Sequence, residues 1–183
     1  MIHLSTDQLL ENQLARSLGL DKYEMILRFA SSTNVSHDLG FQKVFNAFYR
    51  IRRNAEWRKC YYDLFEHAKA KHYGFADVIR ILFDETGNVE SSFSSKMIAT
   101  IDPDRPIWDQ YVIQNLGLEL KGKTPKERVE NAIRLYESIE QWYAAYLKTE
   151  EARVNIAAFD RMLSSYTWIS DVKKIDFLLW SKR

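Results

Sequence analysis

The sequence predicts an all-α fold, a compact bundle of about eight to ten helices in a single domain spanning residues 1–183. Three observations predict it. Apolar residues recur at helical spacing in one segment after another. Only six Gly and three Pro occur in 183 residues, too few turn formers for a β-sandwich or barrel. Hydrophobic residues make up 46% of the chain, which suffices for a buried core and excludes a disordered chain.

Each element has a local reason. Ser5 and Gln8 suit a capping box, and the helix they open stops at Gly19. Asp21 caps a helix through Tyr23, Ile26, Leu27 and Ala30, ending near Asn34. Phe41, Val44, Phe45, Phe48, Tyr49 and Ile51 mark a third. After Asn54, Trp57, Tyr61, Leu64, Phe65 and Ala68 repeat the pattern, and Phe75–Phe83 makes a buried helix broken at Thr86-Gly87-Asn88. A short helix around Phe93–Ile101 ends before Pro103, since the residue preceding proline avoids the helical region. Pro103 and Pro106 bracket a stiff loop, and Asp109 caps a helix through Tyr111, Val112 and Leu116 to Gly117. Thr124, Pro125 and Glu127 form the strongest local signal, an N-cap, a first-turn proline and a capping-box glutamate. That helix runs to about Lys148. Another covers Ala152–Leu163, and Ser170 or Asp171 opens a last one with Ile175, Leu178, Leu179 and Trp180.

Several classes of function drop out. One cysteine, Cys60, allows no internal disulfide, no four-cysteine zinc site and no cysteine-held iron–sulfur cluster. Cys60 sits in an aromatic helical pattern and packs as a small hydrophobe rather than pairing with His67 as a nucleophile. The histidines are scattered, and the closest pair, His67 and His72, falls on different helix faces. No metal and no cofactor are expected. There is no GxGxxG and no GxxxxGK[ST], which sets aside dinucleotide and P-loop chemistry. Polar residues throughout the N-terminus and no apolar run near ~20 residues predict a cytoplasmic protein without a membrane span.

The net charge of +1 hides an asymmetry. Residues 40–80 carry nine basic groups against four acids, a net of +5; residues 81–120 carry two against seven, a net of −5. Residues 161–183 return to +3. In the run FYRIRRNAEWRK, Arg50, Arg52, Arg53, Arg58 and Lys59 interleave with aromatics, and Arg50 and Arg53 are expected on one helix face. Cations for phosphates and flat rings for extruded bases are what a nucleic-acid site combines. Solvated helix faces produce the same charge runs without any partner.

Lys96 and Asp109 carry the candidate chemistry. Lys96 lies in a short helix among Ser91, Ser92, Ser94 and Ser95; Asp109 opens the next helix after the proline loop. Two helices so joined can return both groups to one cleft, beside Phe93, Trp108 and Tyr111. A desolvated lysine has a lowered pKa and a lone pair for attack, while a carboxylate activates water or stabilises an oxocarbenium ion. Equally, the two can form a salt bridge that ties the helices together.

The segment SSFSSKMIATIDPDRPIWDQYVIQNLG, with FQKVFNAFYRIRRNAEWRKCYYDLFE before it and VKKIDFLLW after it, resembles a family of small helical, biochemically uncharacterised prokaryotic proteins. More distantly, the lysine followed by a helix-opening aspartate is similar to the helix-hairpin-helix (HhH-GPD) superfamily of base-excision DNA glycosylases. That resemblance implies an all-helical, two-lobed arrangement with DNA as partner, Lys96 as nucleophile at the deoxyribose C1′, and Asp109 as catalytic carboxylate. The superfamily's glycine-rich hairpin before the lysine is replaced by Ser94 and Ser95, and Gly87 lies too far upstream to serve. Arg50–Lys59 and Lys173 with Lys174 are the expected substitutes for its DNA contact.

The leading expectation is therefore a DNA glycosylase or glycosylase/lyase, a base-excision hydrolase acting on a flipped, modified or damaged base. Phe93, Trp108, Tyr111 and Trp57 would stack on that base. The alternative is a non-catalytic helical module that binds a nucleic acid or a protein, with Lys96–Asp109 as a structural ion pair.

Overall fold

The computed structural model describes residues 19–181. The helix expected from the Ser5–Gln8 capping box lies outside them. Among the described residues there are nine α-helices and no strand. They are α1 (Leu20–Ser32), α2 (Leu39–Tyr49), α3 (Ala55–Lys71), α4 (Phe75–Thr86), α5 (Ser91–Ile101), α6 (Gln110–Asn115), α7 (Pro125–Tyr146), α8 (Glu150–Met162) and α9 (Asp171–Ser181). A 3-10 turn, Ser164–Tyr166, joins α8 to α9. No helix among these residues is long and apolar enough to cross a membrane.

Side-chain caps set most starts. Asn54 Oδ1 accepts from the Trp57 N–H at 2.9 Å, Thr124 Oγ1 from the Glu127 N–H at 3.1 Å, and Ser170 Oγ from the Lys173 N–H at 3.2 Å. Two further caps come from Asp38 and Thr149. Gly87 ends α4 with φ 69°, in the left-handed region that suits glycine.

Five expectations need correction. α1 starts at Leu20, so Asp21 occupies its first turn instead of capping it. Glu127 does not close a box onto Thr124; its carboxylate accepts from the Lys123 N–H at 2.8 Å. α6 ends at Asn115 and α7 at Tyr146, each two residues early. Most consequential, α2 ends at Tyr49 because Arg50 turns left-handed, with φ 54°. Arg50 and Arg53 therefore share no helix face.

Two apolar clusters form the interior. One gathers α7, α8 and α9 around Phe75, Ile79 and Trp108. The other gathers α2, α3 and α5 around Val78, Leu82 and Ile107. α1 and α4 supply residues to both: Leu20 and Tyr23 face the first, Ile26 and Ala30 the second. The proline loop crosses the seam, since the neighbours Ile107 and Trp108 enter opposite clusters. Phe75 anchors it there, stacked 3.9 Å from Tyr136 and parallel to Trp108 at 6.3 Å. Phe75→Ala is expected to destabilise the fold by about 3–5 kcal/mol, read as a lowered urea midpoint at unchanged m-value.

Candidate functional site

A cavity of about 630 Å³ opens where the end of α2, α5, the proline loop, the start of α6 and α9 meet. Lys96 and Asp109 both line it.

Lys96 arrives there through the packing of α5, where Ser91 and every residue from Ser94 to Thr100 are buried. The serines are small enough for neighbouring helices to approach closely. Lys96 is only 9% exposed. Its Nζ donates to Ser92 Oγ at 2.9 Å, one turn back, and lies 5.3 Å and 5.7 Å from the ring centres of Phe93 and Tyr49. Burial pulls its pKa down to about 8; the Asp109 charge opposes that shift and the Lys173 charge adds to it. About one amine in ten is then neutral at pH 7.

Asp109 is placed by a loop pinned from four sides. Ser170 Oγ donates to the Pro103 carbonyl at 2.6 Å, and Tyr136 Oη donates to the Pro106 carbonyl at 2.8 Å. The Ile107 N–H donates to Asp176 Oδ2 at 3.2 Å, and the Trp108 N–H to Ser95 Oγ at 2.9 Å. Asp109 then caps α6, accepting from the Tyr111 N–H at 3.0 Å. No ion pair joins Lys96 to Asp109, so the structural salt bridge of the alternative reading is not formed.

An ion pair that the sequence pattern did not reveal lines the same cavity. Lys173 Nζ lies 3.5 Å from Asp176 Oδ2, with both side chains more than nine-tenths buried. Tyr143 Oη donates to Asp176 Oδ1. Burial lowers the Lys173 pKa and raises that of Asp176. The available signal was two lysines and an aspartate inside the apolar stretch VKKIDFLLW. Trp108, Tyr111, Tyr49, Phe177 and Trp180 supply aromatic wall, and the exposed Lys22 and Arg50 add positive charge.

No family model matches the chain, and no curated protein or solved structure matches it either. Among the described residues no three His, Cys, Asp or Glu groups gather as a metal site.

Of the residues expected to act on a base, Trp108 and Tyr111 line the cavity, whereas Trp57 and Phe93 do not. Trp57 is buried against Tyr61 and donates from Nε1 to Glu90 at 3.1 Å; Phe93 backs Lys96. Of the expected phosphate contacts, Arg50 reaches the cavity and Arg52 is exposed, while Arg58 is half-buried. Arg53 is held 2.7 Å from Glu90 over the Trp57 and Phe93 rings, and Lys59 is paired with Asp63 at 2.5 Å. Lys173 and Lys174 are not surface groups. Lys173 faces the cavity from within, and Lys174 is buried between Asp160 at 2.8 Å and Asp171 at 3.3 Å.

Two stability predictions follow from these charges. Asp176→Ala strands the Lys173 ammonium, the Ile107 N–H and the Tyr143 hydroxyl, and is expected to cost about 3–5 kcal/mol in urea unfolding. Lys96→Met should act oppositely. The folded Lys96 pKa lies below its ordinary value, so the unfolded chain binds more protons between pH 8 and pH 10.5 and parental stability rises with pH there. Below that window the full burial penalty of the ammonium remains. Melting curves are expected to place Lys96→Met about 5 °C above the parent at pH 7, with the gap narrowing toward pH 10.

Proposed function

We propose that this protein is a DNA glycosylase/lyase acting on a flipped, modified or damaged base. One observation carries the proposal: a buried amine and a carboxylate with no ion pair between them line one aromatic-walled cavity, with lysine and arginine at its exposed edge. A volume of about 630 Å³ accommodates a base with its sugar, within the usual range for small-ligand sites.

Each group then has a role. Trp108 and Tyr111 stack on the extruded base, while Arg50 and Lys22 attract the backbone phosphates. The neutral fraction of Lys96 attacks C1′ as the C1′–N glycosidic bond breaks, and the bond's electron pair leaves with the base, which takes a proton from solvent. Asp109 stabilises the positive charge developing on the sugar and accepts the proton the attacking nitrogen must lose. The nitrogen lone pair then expels O4′, which is protonated, leaving an iminium linking Lys96 to the opened sugar.

Borohydride reduces such an iminium to a stable amine, so a covalent protein–DNA adduct is expected with abasic or damaged duplexes. Lys96→Ala is expected to abolish the adduct, and trapping that persists in this variant would overturn Lys96 as nucleophile. Asp109→Asn is expected to lower base release by at least about a hundredfold with DNA affinity largely retained. The trapping rate should climb with pH up to about 8, as the Lys96 amine loses its proton, and then level. Affinity should fall steeply with salt, and Arg50→Ala should reduce the slope of log K against log salt by about one. Binding indifferent to salt would remove phosphate contact from the reading.

A further inference from the structure

Lys173 has hydrogen-bonding capacity that the fold does not use. Its side chain is 6% exposed, and among the described residues its one ionic partner is Asp176, at the long separation of 3.5 Å. Its remaining surroundings include the rings of Tyr23 and Phe177, 5.3 Å and 5.1 Å from the ammonium. An ammonium has three N–H donors, and a buried donor without an acceptor is unfavourable. Asp176, by contrast, is committed to the fold through Tyr143 and the Ile107 N–H. Of this pair, the cation is the member with capacity to spare, and it lines the cavity alongside Trp108, Tyr111 and Trp180.

We propose that Lys173 reads the ligand: it donates a hydrogen bond to an oxo group on the inner edge of the bound base. The cavity thereby selects bases with a carbonyl oxygen at that position over counterparts with an amino group. An amino group would present N–H donors to an ammonium, leaving donors on both sides unmatched and the cation further desolvated. Sites built on a buried polar partner reject such mismatches more strongly than apolar pockets reject a change of size. The inference rests on the cavity being a base pocket, but it is independent of covalent chemistry at Lys96.

Binding to duplexes with one 2′-fluoro nucleotide, whose glycosidic bond resists cleavage, tests it without turnover. The matched pairs are hypoxanthine against adenine and uracil against cytosine, each differing by an oxo and an amino group at one ring position. In at least one pair the oxo base is expected to bind about tenfold more tightly. Lys173→Met is expected to bring that ratio within about twofold, a comparison in which any general loss of attraction for the DNA backbone cancels. If Lys173→Met fails to fold with Asp176 left unpaired, the double variant Lys173→Met/Asp176→Asn is measured against the same two ratios. No preference in either pair, or a preference that survives loss of the ammonium, overturns the proposal, as does failure of every duplex to bind. An oxo preference that vanishes with Lys173 in a protein that never forms a borohydride adduct would uphold this inference while refuting the lyase chemistry.

Discussion

A single buried carboxylate, Asp176, holds three parts of the site in register. It accepts from Tyr143 on α7 and from the Ile107 N–H in the proline loop, and it faces Lys173 on its own helix. In a low-dielectric interior such a network is stronger than its members would be in water, and correspondingly costly to leave half-satisfied. The loop it grips decides much else. Ile107 and Trp108 enter opposite apolar clusters, so a shift of this loop would disturb both, and Asp109 is the next residue along. The carboxylate facing Lys96 is thus located by a second carboxylate that is itself no candidate for the chemistry.

α5 imposes the complementary constraint. An amine reaches the cavity only because small serines let this helix sink into the bundle, where Lys96 has Ser92 and two ring faces for company. Water is displaced and the Asp109 charge makes up only part of the loss, which is why the ammonium is disfavoured and a neutral fraction exists at ordinary pH. The same arrangement opposes stability. Lys96 is thermodynamically awkward in a way that a methionine of similar shape would not be.

What the sequence disclosed follows the range of the interactions concerned. Thr124 and Asp109 were readable as caps because a short side chain and the N–H it accepts from lie within three residues of each other. Lys96 and Asp109 were readable as neighbours because a short, proline-stiffened loop joins their helices. Asp176 was not, since its partners Tyr143 and Ile107 are 33 and 69 residues away and helical periodicity carries no information at that distance. Arg50 was misread for a different reason. The apolar pattern of α2 continues to Ile51, but the backbone turns left-handed at Arg50, and a pattern of side chains does not report a change of φ. Trp57 illustrates a third failure, in which residue type suggested stacking on a base while Glu90 had already engaged the indole N–H.

The charge blocks, taken apart in space, narrow what the molecule can attract. Of the +5 excess, two cations are matched by acids from elsewhere in the chain, Arg53 by Glu90 and Arg80 by Glu130, while the Lys59–Asp63 and Lys69–Glu66 pairs lie within the segment and are already in its count. Arg105 likewise bridges Asp102 and Glu140. Counting charge along the chain therefore overstates the field available to a partner. Around the cavity the balance differs, because Lys22, Arg50, Lys96 and Lys173 face only Asp109 and Asp176 among the charged lining residues. The two buried lysines are balanced by those two carboxylates, and the surplus is the exposed pair Lys22 and Arg50, which draws an anion toward the mouth of the aromatic-walled cavity. The proposed nucleic-acid ligand, a polyanion with flat, extrudable rings, would match both halves of that environment. A small inorganic anion would meet the charge and leave the aromatic wall without a partner.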